Sequence, residues 1–197
     1  MEKFKVFLET TFRTLQNENI ENLIIDIRNN SGGNSRLGDE LFQYISPKPF
    51  AQYGKVLVKY SEIQRRFYNE EITDIDRIEI YDEGLLEELR ENPLRYNGNV
   101  FLLISHYTFS SAADFSWAFK YFKMGTVIGE ESGGLAVCFG DIIPMQLPNT
   151  KLHYTASFKK FYNYGATDKN IHGTLPDYIV KAEKALDFAI DFITKRR

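Results

Sequence analysis

Two adjacent serines, Ser110 and Ser111, lie in the run Tyr107-Thr108-Phe109-Ser110-Ser111-Ala112-Ala113-Asp114-Phe115. The run follows an apolar stretch, Val100-Phe101-Leu102-Leu103-Ile104, that reads as a buried strand, and precedes Phe115, Trp117, Ala118, Phe119 and Phe122, which read as a helix. A hydroxyl at such a junction sits on an exposed turn, beside unpaired backbone N–H groups and the positive end of a helix dipole. Those surroundings suit a nucleophile whose attack creates an oxyanion. They equally suit a serine that only caps the helix, so this segment alone leaves both roles open.

Two glycine-rich loops add to the picture. The first, Arg28-Asn29-Asn30-Ser31-Gly32-Gly33-Asn34-Ser35, follows the apolar run Leu23-Ile24-Ile25-Asp26-Ile27. Adjacent glycines allow unusual φ and close backbone approach, so their N–H groups can face a substrate oxygen. No Gly-Lys-Ser/Thr follows, which excludes a P-loop, and the G-x-G-x-x-G spacing of a dinucleotide site is absent. A tight strand–helix turn is the plain alternative. The second loop, Gly129-Glu130-Glu131-Ser132-Gly133-Gly134, ends another short apolar run and reads as a spacer or a substrate-flanking turn.

The elements that would position these groups are legible as periodicities. Phe4, Phe7, Leu8, Phe12 and Leu15 recur at helical spacing up to Asn17–Asn19. The Leu23–Ile27 run is a strand, and a helix spans about Leu37 to Ile45, stopped by Pro47 and Pro49. Gly54–Tyr60 alternates as a strand. Residues 62–97 are polar and weakly periodic, and read as an insertion able to cover a site, with one short helix at Leu85, Leu86 and Leu89 before Pro93. Thr126–Ile128 is a short strand; 141–147 and 151–157 are further strands, 158–176 is an irregular loop, and a closing helix runs over 181–195. That helix buries Ala185, Phe188, Ala189, Phe192 and Ile193. Helices alternating with buried strands imply a single α/β domain over 1–197, with a mixed, mostly parallel sheet and flanking helices.

Four segments, in order, resemble the carboxy-terminal processing (tail-specific) serine peptidase family. LIIDIRNNSGGNS is similar to its apolar strand, Asp-x-Arg-x-Asn and Gly-Gly; VFLLISHYTFSSAADF to its nucleophile segment; TVIGEESGG to the strand and Gly-Glu turn that follow; GTLPDYIV to its Gly-Val-x-Pro-Asp close. The likeness runs from about residue 4 to 193. It implies a ClpP/crotonase-like core and a serine endopeptidase acting on extended polypeptides, with no cofactor and no metal. The family's nucleophile stands nineteen residues before the glycine of the Gly-Glu turn, which points from Gly129 to Ser110. The family's Ser-Ala-x-acid run instead matches Ser111-Ala112-Ala113-Asp114 and keeps Ser111 as the rival. The resemblance further implies an oxyanion hole from the N–H groups of Ser111 and of Gly32 or Gly33, with Gly133 and Gly134 alongside.

The family's base is the missing part. One branch uses a lysine just beyond the second glycine pair, but Leu135 stands there and no lysine occurs between Lys123 and Lys151. The branch resembling tricorn-type and retinoid-binding-protein-like members uses an upstream histidine and an acid about sixty residues past the serine. Asp168, 58 residues beyond Ser110, fits the acid, with Asn170 as the alternative occupant of that slot. The first of the three histidines is His106, so no histidine lies upstream. His172, near Asp168 in the closing loop, is the foremost in-chain candidate; His106 is a weaker one and His153 reads as a strand-surface residue. A serine lacking a base is a poor nucleophile at neutral pH. The resemblance therefore leads us to expect a base on an N-terminal segment outside this chain, or a chain inactive alone. The rival readings are a peptide- or apolar-ligand-binding module and a crotonase-like acyl-CoA enzyme.

Composition narrows the classes further. With 197 residues, 43% hydrophobic and 26% charged, the chain can bury a substantial core. A net charge of -3 with no basic run gives no sign of nucleic-acid binding. The single Cys138 excludes an intrachain disulfide and a cysteine-rich zinc site. No run reaches the roughly 20 apolar residues of a membrane span. The amphipathic, Glu-containing N-terminus is not a signal peptide, and Met1 falls at its first turn, as a natural start or as the edge of a longer precursor. The family resemblance suggests an extracytoplasmic location if a signal peptide precedes Met1. The sequence does not fix an oligomeric state.

Overall fold

The computed structural model describes residues 1–69, 74–82 and 84–195. Helix α1 (Glu2–Asn17) leads to strand β1 (Asn22–Asp26), helix α2 (Arg36–Ile45), strand β2 (Tyr53–Lys59), helix α3 (Glu62–Tyr68) and strand β3 (Ile78–Asp82). Strand β4 (Asn99–Ile104), helix α4 (Ser111–Tyr121) and strand β5 (Thr126–Gly129) follow. The chain closes with β6 (Val137–Gln146), β7 (His153–Asn163), β8 (Tyr178–Ile179), a 3-10 turn (Ala182–Lys184) and helix α5 (Ala185–Thr194).

One sheet is wholly parallel, in the order β1-β4-β5-β8. Its central strand β4 is apolar at successive positions because both of its faces are covered. Val100, Leu102 and Ile104 point into a cluster with Leu8 and Phe12 of α1, Phe42 of α2 and Phe119 of α4. Phe101 and Leu103 point the other way, onto Ala185 and Ala189 of α5. Alternation along one strand thus sets α1, α2 and α4 on one face and α5 on the other. The loops carrying chemistry leave the carboxyl ends of β1, β4 and β5 together.

A second sheet, antiparallel, has the order β3-β2-β7-β6. Its strands are longer than the sequence suggests: β6 and β7 extend the expected 141–147 and 151–157, and β7 takes in residues read as loop. The two-residue β8 is too short to leave a periodic signal.

The described part of residues 62–97 differs from expectation in two ways. The helix expected at Leu85, Leu86 and Leu89 does not form; Glu87 instead bridges to Phe50, and Leu85 is 86% exposed. Gln43 of α2 captures this backbone, donating to Glu88 O at 3.1 Å and accepting from the Arg90 N–H at 2.8 Å. These tertiary bonds outweigh a weak helical spacing. The helix lies earlier, at α3, where Ser61 accepts the Gln64 N–H and Asn69 ends the helix in the left-handed region. β3 is an edge strand, while residues from about 87 to 96 run along α2.

Candidate active site

The turn after β4 is built from buried hydroxyls. Ser105 and Thr108 are fully buried, so each must find partners. Thr108 Oγ1 accepts the Ser105 N–H at 3.0 Å and donates to Ile27 O at 2.9 Å. Ser105 Oγ donates to Arg28 O. The turn is therefore fastened to the segment entering the first glycine loop. It delivers Ser110 to the N-cap of α4 with φ 50° and ψ -136°. A non-glycine residue held there costs about 1–3 kcal/mol and persists only where its surroundings impose it. Ser110 is exposed and makes no side-chain cap bond. The capping role is thus not taken up, and among the described residues the hydroxyl has no hydrogen-bond partner.

The two glycine pairs wrap this serine closely. A Cβ on Gly32 would lie 2.6 Å from Ser110 Cβ, 2.8 Å from Phe109 O and 3.0 Å from Ser111 N. One on Gly134 would lie 2.5 Å from Ala113 Cβ and 3.1 Å from Ser110 N. Gly133 and Gly134 direct their N–H groups at Thr108 O, at 2.9 and 3.3 Å. Their amides therefore brace the serine turn.

The first glycine pair divides its duties. The Gly32 N–H donates to Asn30 Oδ1 at 2.9 Å, while Asn30 O accepts the Phe109 N–H at 3.0 Å. Gly33, at φ 145°, faces open space. Among the described residues neither the Gly33 nor the Ser111 N–H has a hydrogen-bond partner. Both residues border a cavity of about 240 Å³ walled by Phe4, Ile27, Leu37, Leu41, Ala112 and Phe115. Two unpartnered amides and an apolar recess thus lie beside the turn that carries Ser110. A wider groove of about 690 Å³, between Ile20 and Ile190, holds none of these groups.

The remaining candidates bond elsewhere. Asp168 is exposed, accepting from Lys160 Nζ at 2.8 Å and Tyr162 OH at 2.9 Å. Those two donors, Lys160 foremost, hold its carboxyl below the usual range. His172 Nδ1 lies 2.7 Å from Gly173 O, and its ring is 5.7 Å from that of Trp117. Among the described residues no hydrogen bond joins Asp168 or His172 to Ser110, or to each other. His106 Nδ1 pairs with Glu130 Oε2 at 2.8 Å, in solvent. His153 is on the surface of β7. Among the described residues no cluster of three or more His, Cys, Asp or Glu side chains is placed to hold a metal.

Just past the serine lies a group that sequence reading takes only as the acid of a Ser-Ala-x-acid run. Asp114, one turn into α4, is almost wholly buried and accepts from Tyr53 OH at 3.1 Å. Burial raises its pKa to about 6, against the Asn163 amide and Tyr53 hydroxyl, which favour the charge. Its Oδ1 and Asn163 Oδ1 both lack a partner among the described residues, so the opposite orientation of the Asn163 amide would let its NH2 donate to Asp114. Burial also pushes the Tyr53 hydroxyl far above its ordinary value, and burial with the nearby Asp114 pushes the Cys138 thiol to about 12. The one available signal was an acid inside the otherwise apolar run Ala112–Phe115.

Residues 1–180 match the sequence pattern of Peptidase family S41. The chain belongs to peptidase family S41. Its fold is that of S41 structures: it matches mature CPAF with a TM-score of 0.65 at 16% identity, covering 98% of this chain and 46% of that one. A photosystem II D1 C-terminal processing protease gives 0.57 at 19%, covering 93% and 40%. A Bacteroides fragilis protein assigned to the S41 proteases gives 0.57 at 19%, covering 96% and 49%. At such identities the likeness concerns the fold, and this S41 chain spans under half the length of each of these three proteins.

Proposed function

We propose that this chain carries the nucleophile and oxyanion site of a serine endopeptidase. Ser110 Oγ attacks a peptide carbonyl carbon as its proton passes to a histidine on polypeptide outside this chain. The carbonyl oxygen becomes an oxyanion held by the Ser111 and Gly33 N–H groups. The intermediate collapses, the C–N bond breaks, and the leaving amine takes the proton from the histidine. Water then hydrolyses the acyl–serine ester by the same steps in reverse order. Asp168 orients that histidine once Lys160 and Tyr162 share it, and the 240 Å³ recess takes an apolar substrate side chain.

The observation that carries this reading is the strained, cap-free Ser110 flanked by two unpartnered amides. A helix cap needs no such strain, and a capping serine would spend its hydroxyl on the first turn of α4. A second reading, a peptide- or apolar-ligand-binding module, draws on the fact that no histidine or lysine bonds to Ser110 among the described residues. Hydrolysis of an unfolded polypeptide by the longest translated form of the gene product separates the two. Cleavage that disappears in Ser110→Ala supports the peptidase; retained cleavage removes Ser110 from the mechanism. Peptide binding without cleavage in the unsubstituted protein supports the module.

A further inference from the structure

The loop that carries the Gly33 N–H is bracketed by two anchors of different kinds. Upstream, the carbonyls of Ile27, Arg28 and Asn30 accept from Thr108 Oγ1, Ser105 Oγ and the Phe109 N–H, which ties that end to the serine turn. Downstream, two residues past Gly33, the Ser35 carbonyl opens α2 by accepting the Gly38 N–H at 2.8 Å and the Asp39 N–H at 3.3 Å. Gln52 reaches this first turn from the position just before β2. Its Nε2 donates to Ser35 O at 2.8 Å and to Asp39 Oδ1 at 2.7 Å. Its own backbone is held in turn, because Gln52 O accepts the Tyr164 N–H at 2.9 Å just beyond β7. Gln52 is 4% exposed, so water does not compete for these bonds. Turning its amide over would set Oε1 against two acceptors, so chemistry fixes which side donates. Gly38 leaves room for the approach: a Cβ there would lie 3.0 Å from Phe115 Cδ2 and 3.2 Å from Gln52 Nε2.

We propose that Gln52 is a positioning residue for the oxyanion site: by holding the Ser35 carbonyl it anchors the downstream end of the glycine loop, and with it the place of the Gly33 N–H. Gly33 has open space around it and its N–H has no partner among the described residues, so the residues that bracket it decide where that amide points. The bonds from the Arg36 N–H to Asn34 Oδ1 and from the Leu37 N–H to Asn34 O stay within the loop and its helix, and do not tie either to the strands. The Gln52 amide makes that tie. A displacement of a donor by about 1 Å is enough to weaken transition-state stabilisation. Gln52 Oε1 is buried without a partner among the described residues. An unpaired buried acceptor lowers stability, so stability alone would favour an apolar side chain here, whereas anchoring Ser35 requires the donor. The catalytic part of this inference rests on Ser110 as nucleophile; the anchoring does not.

The test uses Gln52→Met, which keeps an unbranched side chain of similar length but has no donor. Gln43→Met is the control: it removes the bonds to Glu87, Glu88 and Arg90 from another buried glutamine, on α2 itself, and touches no part of the glycine loop. Amide hydrogen exchange at Gly38 and Asp39, whose N–H groups bond Ser35 O, should rise roughly tenfold in Gln52→Met, the worth of one lost hydrogen bond. Amides of β4 and of the last turn of α2 should stay as protected as before, and Gln43→Met should leave Gly38 and Asp39 protected. Unchanged exchange at Gly38 and Asp39 in Gln52→Met, an equal rise there in Gln43→Met, or a rise spread evenly over the chain overturns the anchoring. Gln52→Asn, which withdraws the amide by one methylene, should repeat the pattern and decides the matter where Gln52→Met does not fold. In a form of the gene product that cleaves polypeptide, Gln52→Met should lower kcat about tenfold at constant KM, with Gln43→Met near the unsubstituted value. A change in KM alone, or no change, overturns the positioning role. Absence of all cleavage by the unsubstituted protein would count against Ser110 as nucleophile, while the exchange experiment still decides the anchoring.

Discussion

Replacing Gly32 by alanine sets the geometry of the serine turn against a single added carbon. The new Cβ would meet Ser110 Cβ at 2.6 Å and Phe109 O at 2.8 Å, well inside van der Waals contact, and neither is the free end of a flexible side chain. Overpacking of this kind costs about 1–3 kcal/mol. The φ of 98° adds about 1–2 kcal/mol for an L side chain. Gly33→Ala is the internal control: its φ of 145° carries a comparable backbone cost, yet its Cβ meets nothing within 4 Å. Urea unfolding should therefore place Gly32→Ala about 1–3 kcal/mol below Gly33→Ala. Equal stabilities for the two variants would refute the close approach of Gly32 to Ser110, and with it the geometry on which the site is built.

Other outcomes follow from neighbouring groups. Asp114 has a folded pKa of about 6 against 3.8 for the free side chain, so the native state favours its protonated form. Its relative stabilisation is full below pH 4 and fades as pH rises through about 6, a loss of about 3 kcal/mol by pH 8. Asp114→Asn should accordingly gain stability relative to the unsubstituted chain between pH 4 and pH 8; a pH-independent difference between the two unfolding curves would count against the buried carboxyl. Ser110→Gly should raise stability by about 1 kcal/mol by relieving the positive φ, whereas a loss on thermal unfolding would show that Ser110 serves as a cap after all. Thr108→Val leaves the Ser105 N–H without its acceptor and should cost about 1–3 kcal/mol in the same assay; a neutral effect would mean that the turn is held by other bonds.

How much of this could be read from sequence depended on the range of the interactions. β1, β4 and β5 were legible because strands covered on both faces become unbroken apolar runs, and α1 because Phe4, Leu8, Phe12 and Leu15 recur on one face. The turn carrying Ser110 and both glycine pairs were legible as local structure for a similar reason: a strand, small residues and a helix follow one another at once in the chain. Local spacing failed at Leu85–Leu89, where Gln43, more than 40 residues away, decides the backbone. It could not assign Gly32, Gly33, Gly133 and Gly134 to separate tasks, since which amides are spent on Asn30 and Thr108 is settled by tertiary contact. The Tyr53–Asp114 bond joins residues 61 apart on different layers and leaves no mark in either local pattern. Asp168 and His172 are neighbours in sequence, yet one turns to Lys160 and Tyr162 and the other to Gly173.

The central claim, that Ser110 is the nucleophile, is tested most directly by treating the gene product with a fluorophosphonate and locating the adduct by mass spectrometry of the peptide containing residues 107–117. The adduct should sit on Ser110 Oγ and be absent in Ser110→Ala, with Ser111→Ala still labelled. An adduct on Ser111, or labelling that persists in Ser110→Ala, would contradict the account.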